Sequence, residues 1–108
     1  MNGQNNSDFE GMAGKLEALG SPVRLQIVRE LVKVGEQGLA VSALQDRVDV
    51  AASTLSHHLR KLMSVDLVRQ ERHGTTLLCR AQYDAIRDLA NYLVSECCIE
   101  ETGESENR

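Results

Sequence analysis

The least ordinary chemistry in this 108-residue chain belongs to three cysteines: Cys79 by itself, and Cys97 directly followed by Cys98. A thiolate is both a nucleophile and a soft ligand, so such residues serve packing, redox exchange or metal binding. The chain opens MNGQNNSDFE, with no basic region leading into an apolar run. Nowhere do about 18 consecutive apolar residues occur, so neither export nor a membrane span is expected. The expected location is cytoplasmic. In that reducing setting an odd set of thiols makes a poor disulfide framework and is better explained as structural, redox-active or metal-binding cysteine.

A second chemical group is cationic. Net charge is −4, yet between Ser53 and Arg80 five cations (Arg60, Lys61, Arg69, Arg72, Arg80) stand against Asp66 and Glu71, giving that stretch +3 and the remainder −7. His57, His58 and His73 lie in the same stretch. A locally basic segment suits phosphate contact, while the acidic remainder limits non-specific adhesion and makes affinity sensitive to salt. Charge alone would equally fit a solvated face. No Gly-rich phosphate loop, paired acid and base, or cysteine beside an activating histidine is present, so neither an enzyme nor a catalytic cofactor is expected. Histidines and carboxylates at ligand spacing are missing too, which argues against a histidine metal site.

The elements that must carry these groups can be read from periodicity. Residues 1–7 are expected to be flexible, 8–99 to form one domain, and 100–108 to be an acidic disordered tail. Phe9, Met12, Ala13, Leu16 and Leu19 recur at helical spacing up to Gly20. Ser21 and Pro22 open a second helix with Val23, Ile27, Val28 and Leu31 as its core stripe, broken by Gly35 and Gly38. Ser42 with Gln45 fits a capping box for a short third helix. A fourth, capped by Ser53 or a neighbour, turns Leu55, Leu59, Leu62 and Met63 inward and leaves a polar, basic outer face.

LVRQER and TTLLCRA around His73-Gly74 predict a two-stranded hairpin. Tyr83, Ile86, Leu89, Ala90, Leu93, Val94 and Cys97 mark a last helix of roughly four turns or more, with Cys97 on its apolar face. The fold class is therefore mainly α with a small β-hairpin: a winged helix-turn-helix, in which the second helix of the motif enters a major groove and the hairpin lies along adjacent backbone. On this reading Ser53, Thr54 and Ser56 offer hydroxyls and free amides to phosphate in the first turn, and His57, Arg60 and Lys61 project along the outer face.

SPVRLQIVREL, then VSALQDRVDVAASTLSHHLRKLMSVDLV, then RQERHGTTLLCR, resembles the ArsR/SmtB repressors from about the first helix to Cys98. These are small dimeric bacterial regulators that leave their operators when a metal or metalloid binds. The resemblance implies double-stranded operator DNA as partner, and a homodimer built by the first and last helices. Its two recognition helices would meet successive grooves about 34 Å apart. Dimerisation is also expected because a small chain has two apolar helical stripes and only a hairpin to bury them against, the rival being an internal core that closes both. The resemblance adds Arg69, Arg72 and His73 as wing contacts. It gives His58 a packing or backbone role at the edge of the DNA surface.

Where such a repressor senses is narrowed by comparison with the family's patterns. The cysteine pair that opens the third helix in many arsenic sensors corresponds to Ala40 and Ser42, and the last helix has none of the histidines that zinc sensors use. The resemblance is then to members with a wing cysteine and a C-terminal vicinal pair, some of which answer to trivalent organoarsenicals. It implies Cys79 and Cys97 as primary ligands with Cys98 auxiliary. Because Tyr83 to Cys97 would span roughly 21 Å of helix, Cys79 is expected to meet the Cys97 pair of the other subunit. Three soft thiolates suit three-coordinate arsenic, organic or inorganic, better than tetrahedral zinc. Inorganic arsenite or antimonite sensing, and a redox or persulfide switch, stay open beside it.

Overall fold

The computed structural model describes the backbone of residues 2–101 and the side chains of residues 8–101. The start expected to be flexible over 1–7 is described from residue 2 onward, where its backbone belongs to the first helix, and the tail expected over 100–108 lies outside the described residues beyond residue 101. The order of elements is α1 (Asn2–Leu19), α2 (Pro22–Val34), a single 3-10 turn (Gly35–Gln37), β1 (Leu39–Ala40), α3 (Val41–Val48), α4 (Ala52–Ser64), β2 (Val68–His73), β3 (Thr76–Ala81) and α5 (Tyr83–Val94).

The α2 boundary forms as its residues dictate. The Ser21 hydroxyl accepts from the Arg24 amide at 3.3 Å and Pro22 follows at the first helical position, where its missing N–H costs nothing. Ile27, Leu31, Leu44, Leu55, Leu59, Leu62 and Leu67 are fully buried and make one core from α2, α3, α4 and the start of the wing. Tyr83 fastens α5 to this core, its hydroxyl donating to the Leu31 carbonyl at 3.2 Å.

Two helix starts differ from expectation. α3 begins at Val41 after Ala40, and α4 at Ala52 after Ala51, both without a side-chain cap. Ala40 is already held in the sheet opposite Leu78, which sets the direction in which α3 starts. The Gln45 amide, expected to close a capping box, reaches across the turn and donates to the Val50 carbonyl at 3.1 Å. Asp49, left-handed at φ 56°, ends α3 by donating to the Gln45 carbonyl at 2.8 Å.

The wing has three strands rather than two, in the antiparallel order β1-β3-β2. β2 and β3 join through Gly74-Thr75, with Gly74 at φ 64° and His73 opposite Thr76. β1 is only two residues, too short for period-2 patterning to announce it.

α5 is also shorter than expected. It stops at Val94, after which single turns run to Glu100, and Cys98 sits at φ 65°. Ser95 contributes to the ending: its backbone and hydroxyl both donate to the Tyr92 carbonyl. Phe9, Leu16, Leu93, Val94 and Ile99 remain exposed, so α1 and the end of α5 leave apolar surface uncovered within one chain. Among the described residues no helix is long and apolar enough to cross a membrane.

Candidate nucleic-acid interface and thiol pair

Leu55, Leu59 and Leu62 pin one side of α4 to the core, which turns the opposite side outward. Ser53, Thr54, Ser56, His57 and Arg60 are all exposed there. With no side-chain cap, the amides of the first turn of α4 are open to an acceptor such as phosphate.

Two further residues of this helix have partners on other helices. His58 is half-buried, its Nδ1 lying 3.1 Å from the Arg24 guanidinium of α2. Burial first, then the positive charge of Arg24 and the neighbouring His57, holds its pKa below the ordinary 6.5. Lys61 forms an ion pair with Glu17 of α1 at 2.9 Å. Sequence reasoning missed both partners because Arg24 and Glu17 lie 34 and 44 positions away in the chain from the groups they hold.

On the wing, Arg69, Arg72 and His73 are exposed. One carboxylate organises the outer face. Glu71 takes His73 Nε2 at 3.1 Å and the Arg80 guanidinium on one oxygen, and Arg69 Nε at 3.1 Å on the other. His73, then Arg80 and Arg69, lower its pKa to about 2. Arg69 therefore faces solvent with part of its charge already answered and His73 with its Nε2 engaged, whereas Arg72 lies on the other face, beside Ser42, Gln45 and Thr76.

The thiols divide into two environments, and none is in a disulfide. Cys79 on β3 is fully buried, opposite Gln70, whose amide donates to its sulfur at 3.5 Å. Burial pushes this thiol above its ordinary pKa of 9.0, and the Gln70 hydrogen bond offsets it only in part. Cys97 is exposed and Cys98 half-buried, with their sulfurs 3.4 Å apart. The close approach comes from the turn after α5, since a helix would have sent adjacent side chains about 100° apart. Among the described residues of one chain no three His, Cys, Asp or Glu side chains group as metal ligands, so the three sulfurs do not converge within a protomer.

The order short helix, turn, polar-faced helix, hairpin is accompanied by likeness in sequence. A helix-turn-helix domain model matches residues 19–71. The arsenical resistance operon repressor of Bacillus subtilis is 36% identical over 87 residues, which cover 79% of this chain and 77% of that protein. This chain belongs to the ArsR family of transcriptional regulators. The chain is also similar to the nodulation protein NolR of Rhizobium meliloti, 37% identical over 83 residues, 77% of this chain and 66% of that protein.

In solved structures, the homodimeric winged helix-turn-helix DNA-binding domain Mb0332 of Mycobacterium bovis, a possible ArsR-family regulator, superposes with a TM-score of 0.70. It is 27% identical and the match covers 91% of this chain and 89% of that one. ArsR membership makes the chain a DNA-binding regulator, not an enzyme.

Proposed function

We propose that the protein is a homodimeric repressor that releases its operator when Cys97 and Cys98 capture a trivalent arsenical bearing one carbon substituent. The observation that carries this is the 3.4 Å separation of the two sulfurs on an accessible turn. An arsenical of the form R–As(OH)2 exchanges both hydroxyls for thiolates and releases two waters, so two sulfurs complete it. Inorganic arsenite needs a third. Cys79, expected from the family resemblance to be one of the primary pair, is less available because its thiol is buried and neutral.

The path from the pair to DNA runs through the dimer. Leu93, Val94 and Ile99 flank the thiols and are exposed, as are Phe9 and Leu16 on α1, so a second copy is the natural cover for this surface. Closing a ring on Cys97 and Cys98 reshapes the end of α5 and hence the spacing of the two α4 helices. A coupling of about 1 to 3 kcal/mol would loosen DNA roughly 5- to 150-fold.

The test is operator release measured by fluorescence anisotropy in a phosphine reductant, against methylarsenite, arsenite and, without reductant, peroxide. Wild type and Cys79→Ser should release with methylarsenite, while Cys97→Ser and Cys98→Ser should not. Normal release by both of the latter would overturn the assignment. A response to peroxide alone would replace it with a thiol redox switch, which the closeness of the same two sulfurs also favours.

A further inference from the structure

Leucine burial sets how deep α4 sits but resists rolling and sliding weakly, because apolar attraction has no direction. Directional ties come from elsewhere, and at α4 two of them reach the same turn of α1. Arg24 carries the first. Its backbone amide is fixed by the Ser21 hydroxyl at 3.3 Å, its Nε donates to the Ala18 carbonyl at 2.7 Å, and its Nη1 meets His58 Nδ1 at 3.1 Å. The second is Lys61 of α4 with Glu17 of α1, one helical turn further along.

We propose that Arg24 is the positioning residue of the DNA-reading helix, tying α4 to the last turn of α1 through His58 held neutral with its proton on Nε2. The chemistry fixes the tautomer. A guanidinium only donates, so the nitrogen it meets at hydrogen-bond distance must accept, and Nδ1 is therefore bare. Protonating it would set two donors against each other beside a positive charge, and the tie would open.

The groups around His58 all act in one direction. Arg24 faces it from α2, His57 stands beside it on α4 with ring centroids 5.4 Å apart, and the next cation along α4, Lys61, is engaged by Glu17 of α1. No carboxylate among the described residues opposes them at His58. This placement is independent of which inducer the thiols take, since it concerns the unliganded repressor on DNA. It also gives the packing role expected of His58 a specific partner, Arg24.

The test uses the full chain with an operator duplex selected from a random pool. The parent for comparison carries His57→Gln and His73→Gln, so that His58 is the single histidine left in the chain. His58→Asn keeps an acceptor where Nδ1 stands and cannot titrate; His58→Leu removes it. At pH 7.5 His58→Leu and Arg24→Gln should weaken operator binding about tenfold or more, the loss expected for a hydrogen bond to a charged group. His58→Asn should stay within about threefold of the parent.

Between pH 7.5 and 5.5 the parent should weaken while His58→Asn stays flat. In long-range 1H–15N spectra of the free protein Nδ1 should be unprotonated at pH 7.5, and the His58 pKa should rise toward 6.5 in Arg24→Gln. Circular dichroism checks folding, and if Arg24→Gln does not fold, the His58 variants and the spectra of the parent decide. A protonated Nδ1 at pH 7.5, parent-like binding by His58→Leu, or equal losses in His58→Asn and His58→Leu would each overturn the proposal.

Discussion

Gly38 and Cys79 meet backbone to backbone: a methyl group on Gly38 would stand 2.4 Å from the Cys79 carbonyl oxygen. This contact lets the 3-10 turn lead straight into β1, which pairs Leu39 with Cys79. Gly38 also sits at φ 69°, where a side chain is strained.

Gly38→Ala should therefore cost more than Gly35→Ala. Both combine a positive φ with an extended ψ, −157° at Gly35 and −170° at Gly38, a region essentially confined to glycine that costs about 1 to 3 kcal/mol in another residue. Only Gly38 adds a clash, since Gly35 has open space around its would-be methyl. Urea unfolding should give Gly38→Ala a loss larger by about 1 to 3 kcal/mol.

Thiol reactivity should separate the cysteines sharply. At pH 7.5 iodoacetamide should modify Cys97 and Cys98 in the native protein and Cys79 only after unfolding, as peptide mass spectrometry would reveal. Because burial raises the Cys79 pKa, its contribution to stability is complete below the ordinary value of 9.0 and declines as pH rises beyond it. Cys79→Ser should remove that alkaline decline.

Glu71 should remain ionised far into acid. With its folded value lowered to about 2 from 4.5, the stability its charged form contributes is present above 4.5 and is lost as pH falls through about 2. Carboxyl 13C shifts would follow it, and Glu71→Gln should remove that late transition. The same variant should bind operator more tightly and with a steeper salt dependence, having released Arg69, His73 and Arg80 from their shared anion.

If the exposed apolar end of α5 is covered by a second copy, a charge there should undo the pairing. Leu93 is 60% exposed and Val94 62%. Leu93→Glu should shift sedimentation from dimer to monomer and abolish tight operator binding, while leaving the far-UV spectrum of the single chain nearly unchanged.

Much of this was legible from residue order alone. Leu55, Leu59 and Leu62 announced the buried side of α4 because a helical period determines which side chains share a face. Gly74 announced the hairpin turn, since a positive φ selects for glycine. The polar positions around those leucines, Ser53, Thr54, Ser56, His57 and Arg60, are exposed as the same period requires.

Other features had no local signal. A two-residue strand has no readable period, and the capping sequence Ser42 to Gln45 lost to a strand that already held Ala40 and to a carbonyl at Val50 that needed a donor. What residue order determined for this protein is which faces are apolar, which are cationic and where turns must fall, since those follow from neighbours within a few positions. Only tertiary structure decided that Cys79 is sequestered while Cys97 and Cys98 lie side by side, and that His58 answers to Arg24. Burial and partnership are properties of groups distant in the chain, brought together by packing.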